Sequence, residues 1–251
     1  MALSDYQLIE YIQGVEGAYI NSGYQPTRNT QFDVVAEFPD ITATGYVWGV
    51  YGGSYYYSFS NSTSSKYYWR HRSSTGTDIT PQFASGTKLH ITQTVNSSTG
   101  VDLVVEDVST GNTVSAHRSY PSAGNAGKNM YICGMNQNGT LKYTGNIKIY
   151  SFIAKDSAGT EVRNFVPVRE KVASGSYIKV GLYDTITGAI FWSGGSGSSH
   201  NFIAGPDIVD NAVHINVGGT WKTGVPYVNV NGTWKAGKIY INVNGTWKEG
   251  K

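Results

Sequence analysis

The sequence predicts an all-β protein, with a sandwich or barrel as its body and a small module of repeated β-hairpins after it. Short runs in which apolar and polar residues alternate recur along the chain. Pairs rich in Gly, Asn and Ser separate these runs, for example at Asn138-Gly139. Apolar residues at helical spacing are nearly absent, so the pattern does not favour strands that alternate with helices.

Nine strands are expected in the body. In each of them the alternation gives one apolar face and one polar face. The expected strands are Gln31 to Phe38, Tyr46 to Tyr51, Tyr55 to Ser60, Lys66 to Arg72, Lys88 to Val95, Val101 to Val108, Asn129 to Gly134, Gly145 to Phe152 and Val162 to Pro167.

Length and charge limit the architecture and the partners. The 251 residues suit one sandwich domain, expected over residues 1–210, and a small appendage over residues 211–251. Lys and Arg number 19 and Asp and Glu number 17, so the net charge is only +2. Duplex nucleic acid is bound through clustered Lys and Arg, so we expect no nucleic-acid partner.

The N-terminus and the single cysteine indicate the compartment. The first residues show no basic region followed by an apolar core, so we expect synthesis in a cytoplasm without a signal peptide. No run approaches the ~18 apolar residues of a membrane span, and we expect no membrane insertion. Cys133 is the only cysteine, which excludes an intrachain disulfide. Its apolar neighbours predict a buried, inert thiol.

A repeat of 13 residues organises the C-terminal segment. Trp221, Trp234 and Trp247 are evenly spaced, and each of them follows a Thr and precedes a Lys. An Asn-Gly or Gly-Gly pair stands before each Thr, and such pairs accept the positive φ angles of a type I′ hairpin turn. Each unit is therefore predicted to be a short β-hairpin.

The densest aromatic stretch runs from Tyr46 to Arg72, and strand alternation divides it into two sets. The bulkier set is expected to face the core: Tyr55, Tyr57, Phe59, Tyr67, Trp69 and His71. The opposite set is expected on the outer surface: Tyr56, Tyr68, Arg70 and Arg72. Tyr51 joins the outer set because it abuts Gly52-Gly53 at an expected loop tip.

The outer set, with Tyr51, supplies the candidate ligand-binding residues. Tyr rings stack on the C–H faces of sugars, and their hydroxyl groups hydrogen-bond to sugar hydroxyls. Arg forms bidentate hydrogen bonds with a carboxylate or a phosphate. The alternative interpretation is ordinary packing on the outer sheet or an interface between subunits.

A search for catalytic patterns favours no enzyme. Asp102 and Glu106 lie four residues apart, hence on one strand face, but Leu103 and Val105 define the core side more simply. The two carboxylates are therefore interpreted as a solvated face. The five histidines form no closely spaced metal-ligand set, and no Gly-x-Ser-x-Gly motif is present. We expect no catalytic residues, no metal, no cofactor and no enzymatic activity.

Segments at both ends of the body resemble a known family. The segment Glu10 to Pro26 looks like the opening of the laminin-G-like, concanavalin A-like modules that occur in tail and baseplate proteins of bacteriophages. The matching close comprises Ile147 to Phe152, Val162 to Val168, Val180 to Asp184 and Phe202 to Pro206. The Asn-Gly-Thr-Trp-Lys repeats also look like C-terminal repeats of phage virion proteins.

The resemblance implies a two-sheet antiparallel jelly-roll sandwich on a virion tail tip or baseplate. Such a module binds a host cell-surface glycan alongside other virion tail proteins, often as a homotrimer. The sequence departs from the family pattern between Tyr46 and Arg72, so the identity of the glycan does not follow. Two alternatives stay open: a structural virion decoration or assembly protein that uses the fold as scaffold, and a glycan hydrolase.

The hairpin repeats predict a symmetric assembly. Three hairpins of one chain expose strand edges and little apolar surface, so packing against equivalent hairpins around a threefold axis stabilises them. Trp221, Trp234 and Trp247 are the expected apolar anchors. Light scattering is expected to show a trimer for the full-length chain and a monomer for a chain that ends at Asp210. A monomeric full-length chain at micromolar concentration contradicts this prediction, and a trimer that survives the deletion assigns assembly to the body.

Overall fold

The structure is a computed structural model that describes residues 2–62, 65–122, 124–195 and 197–208, and, in the C-terminal segment, residues 213–217, 220–224, 227–230, 232–236, 240–243 and 246–249. The chain forms two compact units, Met1–Asp207 and Ile208–Lys251. The predicted boundary between residues 210 and 211 lies outside the described residues and stays a prediction. Two short 3₁₀ helices, Leu3–Asp5 and Ser198–His200, accompany the strands. No helix in the described part is long and apolar enough to span a membrane.

Strands make up the rest of the regular structure. In chain order they are β1 Tyr6–Leu8, β2 Ile12–Gln13, β3 Ile20–Asn21, β4 Gln31–Glu37, β5 Tyr46–Gly52, β6 Tyr55–Ser62, β7 Lys66–His71, β8 Thr77–Ile79, β9 Lys88–Asn96, β10 Gly100–Asp107, β11 Thr113–Arg118, β12 Tyr131–Ile132, β13 Met135–Gln137, β14 Thr140–Lys142, β15 Lys148–Lys155, β16 Glu161–Glu170, β17 Val180–Asp184, β18 Ala189–Trp192, β19 Ile203–Ala204, β20 Val213–Val217, β21 Thr220–Gly224, β22 Tyr227–Val230, β23 Thr233–Ala236, β24 Tyr240–Val243 and β25 Thr246–Glu249.

The larger sheet of the body has β4 and β15 near its centre. Its main order is β11-β10-β9-β4-β15-β16-β17-β18, with β1 paired to β16 and β2 paired to β15 and β19. In β4, Phe32, Val34 and Ala36 are buried, whereas Asp33 and Val35 are only half-buried. One face of the sheet therefore packs into the core and the other reaches water, as strand alternation requires.

The smaller sheet carries the aromatic stretch. Its order is β14-β13-β5-β6-β7-β8, and β12 pairs with both β5 and β3. Neighbouring strands are antiparallel except for β13 and β5, which run parallel. The register places Phe59 opposite Trp69, and both side chains are fully buried. The set predicted to face the core does so, although Tyr55 at its end is only half-buried.

Aromatic contacts join the two sheets. The rings of Phe32 in the larger sheet and Trp48 in the smaller sheet have centroids 4.8 Å apart. Trp48 also stacks on Phe59 at 5.3 Å, and Phe32 meets the edge of Phe152 at 5.7 Å. Such pairs add to the free energy gained by burying apolar area. The predicted all-β fold, with a two-sheet sandwich as its body, is confirmed.

The C-terminal segment contains three two-stranded antiparallel sheets, which confirms the predicted hairpins. They are β20–β21, β22–β23 and β24–β25. Each Trp of the repeat lies opposite an Asn: Asn216 with Trp221, Asn229 with Trp234 and Asn242 with Trp247. The strand pairing within each of the three hairpins therefore has the same register. The role of the Trp residues in assembly stays a prediction.

The strand expected from Asn129 to Gly134 forms only at Tyr131–Ile132, where Cys133 ends it, and a further strand, Met135–Gln137, begins beyond the expected range. The backbone of Cys133 has φ 60°, in the left-handed region, and this interrupts an extended chain. β12 before it pairs antiparallel with β5, whereas β13 after it pairs parallel with β5. The thiol is fully buried and free, and burial raises its pKa, so the prediction of a buried, inert cysteine is confirmed.

A histidine in the core makes the stability depend on pH. His71 is 2% exposed, and its Nε2 lies 2.9 Å from the carbonyl oxygen of Arg28. Burial lowers the pKa of His71 from 6.5 to about 4, because the charged imidazolium loses its hydration. The imidazole is therefore neutral in the folded protein at neutral pH.

We expect the free energy of unfolding to fall as the pH drops from 6.5 towards 4. In this window the unfolded chain binds a proton at His71 and the folded chain does not, which removes about 3 kcal/mol from this group. Urea unfolding at several pH values measures the loss. His71→Gln is expected to flatten the pH dependence. An equal slope in wild type and His71→Gln contradicts this account.

Candidate functional site

The outer face of the smaller sheet brings together most of the predicted binding residues. Tyr51 in β5 lies opposite Tyr56 in β6, and Ser58 in β6 lies opposite Arg70 in β7. Adjacent strands are about 4.8 Å apart, so outward side chains on neighbouring strands contact one another. Tyr68 lies on the same face of β7 as Arg70, two residues away.

Four side chains form a continuous stack, which we call the Tyr-Arg row: Tyr51, Tyr56, Arg70 and Tyr68. The rings of Tyr51 and Tyr56 have centroids 4.0 Å apart and planes 19° apart. The guanidinium carbon of Arg70 lies 4.8 Å from the centroid of the Tyr56 ring and 4.3 Å from that of Tyr68. The cation is therefore held between two aromatic faces, a favourable arrangement for Arg. All four side chains are half-buried.

The loop after β7 supports the end of the row. The backbone N–H of Gly76 donates a hydrogen bond to the hydroxyl of Tyr68 at 2.9 Å, and Nε of Arg70 donates to the carbonyl of Ser74 at 3.3 Å. A Cβ at position 76 would lie 2.1 Å from Cζ of Tyr68, so only glycine lets the ring lie against the loop. Gly76 was not predictable from the sequence, since a glycine in a Ser/Thr-rich loop gives no signal of ring contact.

Arg72 does not belong to the row, which corrects its predicted position. β7 ends at His71, and Arg72 has φ 53°, so the strand alternation does not extend to it. Its guanidinium carbon lies 4.3 Å from the centroid of the Tyr55 ring. Tyr55 packs against the core rather than lying on the outer face. The left-handed backbone thus turns the side chain away from Arg70.

The row offers polar edges rather than free ring faces. The strand order places Tyr51 and Arg70 on opposite sides of Tyr56, so both faces of the Tyr56 ring are covered. The stacking of sugar C–H faces on the Tyr rings stays a prediction, and Tyr56 offers its edge and its hydroxyl to a ligand. What remains are phenol hydroxyls, which donate and accept hydrogen bonds, and the Nη donors of Arg70. Burial raises the pKa of Tyr56, which keeps its hydroxyl protonated.

The row carries a positive charge. Arg70 forms no ion pair with any carboxylate among the described residues. Lys66 of β7, by contrast, forms an ion pair with Asp78 of β8, with Nζ and Oδ2 2.5 Å apart. A fixed guanidinium with open donors is suited to a carboxylate or a phosphate.

A second polar cluster lies on the outer face of the larger sheet. Nε2 of His90 lies 2.9 Å from Asp33, and its Nδ1 lies 3.9 Å from Glu106. Lys155 approaches the other oxygen of Asp33 at 3.1 Å. Burial would raise the pKa of Asp33, but hydrogen bonds from His90 and Lys155 outweigh it and lower the pKa.

The carboxylates of β10 are exposed as predicted. Asp102 and Glu106 point to the outer face, where each lies beside a histidine: Asp102 is 2.7 Å from His117, and Glu106 is near His90. The shared strand face of the two carboxylates follows from the sequence, whereas the two histidines do not, because they come from other strands. An imidazole between two carboxylates is a group that can move protons.

No family model matches the chain, and no curated protein sequence matches it. Three solved structures are similar to it. Scytalido-glutamic peptidase with a peptide-based transition-state analogue has 14% identity and a TM-score of 0.37, over 86% of this chain and 98% of its own. The same peptidase with a transition-state analogue inhibitor has 16% identity and a TM-score of 0.36, over 68% and 97%. SCP-B, a member of the eqolisin family of peptidases in complex with the tripeptide Ala-Ile-His, has 16% identity and a TM-score of 0.32, over 75% and 100%.

These matches correct the expectation that the chain is not an enzyme. All three similar structures are peptidases, so the absence of a familiar motif in the sequence was not a sufficient reason to exclude catalysis. At 14–16% identity and TM-scores of 0.32–0.37, the likeness assigns no activity or catalytic residue to this chain.

Proposed function

We propose that the chain binds a cell-surface glycan that carries an anionic group, and that the Tyr-Arg row is the binding surface. The position of Arg70, held between Tyr56 and Tyr68 without a carboxylate partner among the described residues, carries this proposal. The guanidinium would bind a carboxylate or a phosphate in a bidentate manner. The phenol hydroxyls of the row would hydrogen-bond to sugar hydroxyls.

The stacking in the row supports binding because it fixes the side chains in advance. Long side chains lose rotamer freedom when a ligand immobilises them, and each loss weakens affinity by about 0.5–1.5 kcal/mol. Arg70 is already held by two rings and by Ser74. Tyr68 is held by Gly76. Little further ordering is therefore needed on binding.

The biological setting that we propose is a virion tail tip or baseplate. The resemblance of the opening and closing segments of the body to phage tail modules supports this setting, and so do the hairpin repeats. In this setting the chain would be a homotrimer and would contact other virion tail proteins. A structural decoration protein is the alternative, in which a neighbouring subunit would cover the Tyr-Arg row.

Binding to a printed glycan array tests the proposal. The array should carry neutral oligosaccharides and matched ones that bear a uronic acid or a phosphate. We expect preference for the acidic glycans, and a loss of about 1–3 kcal/mol, roughly 5- to 150-fold in affinity, in Arg70→Lys, which keeps the charge but loses the planar fork. Arg169→Lys, at an exposed ion pair with Asp207 on the other sheet, is the control.

Two results would contradict binding by the row. One is unchanged affinity in Arg70→Lys at an unchanged thermal midpoint. The other is a trimer that dissociates when Tyr68 is replaced by Ala, because the row would then be a subunit interface. Light scattering on the same preparations distinguishes these results.

Hydrolysis is a second candidate function, favoured by the cluster of Asp33, His90 and Glu106 on the larger sheet. An imidazole held by one carboxylate and close to a second can act as a general acid or base. We expect the purified chain to release reducing ends from a polysaccharide or new amines from casein. Asp33→Asn is expected to abolish the release and Asp102→Asn to preserve it. A wild-type chain that releases neither product rules this candidate out.

A further inference from the structure

A cleft of about 410 Å³ lies beside the smaller sheet, where the chain leaves β14. Its size falls within the range of small-molecule sites. Its walls come from three separated parts of the chain, and their functional groups belong to Glu16, Lys142, Tyr143, Thr144, Ser199 and His200. The backbone N–H of Gly17 donates a hydrogen bond to the hydroxyl of Thr144 at 3.0 Å, which ties two of these walls together.

Tyr143 presents an aromatic face to this cleft region. It is 61% exposed, whereas every other Tyr whose burial the structure describes is buried or half-buried. One face of its ring stacks on Tyr46, with centroids 5.8 Å and planes 24° apart, and the exposure leaves the other face open. Its backbone has φ 54°, a conformation that is costly for a bulky residue and that is concentrated at functional sites. Unlike Tyr56, this ring can accept a stacked ligand.

The two charged side chains of the cleft have no partner of opposite charge among the described residues. Glu16 and Lys142 line the same cleft with opposite charges, yet neither forms an ion pair with a described residue. The ring of His200 is fixed by close packing, since a Cβ at Gly17 would lie 2.2 Å from its Cδ2. Besides the hydroxyls of Thr144 and Ser199 and the imidazole of His200, the cleft therefore holds one anionic acceptor group, one cationic donor group and one open ring.

We propose that this cleft binds a neutral sugar ring, stacked on the open face of Tyr143. A sugar has an apolar C–H face for the ring and hydroxyl groups that donate to Glu16 and accept from Lys142. An anionic ligand is opposed by Glu16 and a cationic one by Lys142. An apolar ligand would desolvate both charges without replacing their hydrogen bonds. A neutral polyhydroxylated ring satisfies every group.

The cleft and the Tyr-Arg row lie on the same sheet. Tyr46 lies opposite Ser60, and Ser60 lies opposite Tyr68 of the row. Two strand spacings, about 10 Å in all, therefore separate Tyr46 from Tyr68. An oligosaccharide could reach both surfaces, with a neutral unit on Tyr143 and an acidic unit at Arg70, and this last step rests on the proposed function.

The experiment measures binding of the full chain to neutral monosaccharides, to short neutral oligomers of glucose, galactose and N-acetylglucosamine, and to the same oligomers with a terminal uronic acid. Tyr143→Gly removes the ring and relieves the left-handed backbone. We expect it to weaken binding of all oligomers by roughly 3- to 10-fold. Tyr143→Phe, which restores a ring, should recover most of the affinity. Glu16→Gln and Lys142→Gln, both at exposed side chains, should each weaken binding of the neutral oligomers.

The control is Tyr177→Ala, in a loop joined to the larger sheet. If Tyr143→Gly and both charge variants bind every oligomer as wild type does, or if wild type binds no neutral oligomer, the cleft is not a sugar site. Arg70→Lys separates the two proposals. Arg70→Lys should weaken binding only of the oligomers that carry the uronic acid. If it has no effect, the Tyr-Arg row is not the acidic subsite, and the results with the neutral oligomers still test the cleft. If the cleft variants have no effect, the result with Arg70→Lys still tests the row.

Discussion

The contact between Phe32 and Trp48 is the constraint on which the rest of the body depends. It joins the two sheets through rings whose centroids are 4.8 Å apart, and Phe59 and Phe152 extend it within each sheet. Removing a buried aromatic ring of this size costs about 3–5 kcal/mol. This is a large fraction of the total stability of a domain. The inward direction of these rings is therefore fixed.

The direction of the inner rings determines the outer surface. Because Phe59 and Trp69 point inward, their strand neighbours Ser58, Tyr68 and Arg70 must point outward. A shift of the register by one residue would place Arg70 in the core, where an unpaired charge is not tolerated. The packing of the core thus determines which side chains lie on the surface that forms the candidate site.

The sequence predicted those parts of the structure that follow from alternation, and failed where one residue breaks it. The core set and three members of the outer set, Tyr56, Tyr68 and Arg70, follow from a period of two. Arg72 and Cys133 do not, because each adopts a left-handed backbone that neither residue type normally favours. Two further contacts could not be predicted from alternation: the contact of the Tyr68 ring with Gly76, and the pairing of His90 with Asp33. Each joins residues that lie on different strands or on a strand and a loop, and the alternation within one strand carries no information about such contacts.

The left-handed residue at Cys133 has a consequence for how the surface can change. It reverses the pairing of the chain with β5 and so brings the hairpin of β13 and β14, with Tyr143 at its end, to the edge of the sheet. Insertions or replacements in this hairpin would reshape the cleft without disturbing the register of β5, β6 and β7. The two halves of the surface are therefore separately evolvable, and new ligand preferences can arise in one while the other keeps its own.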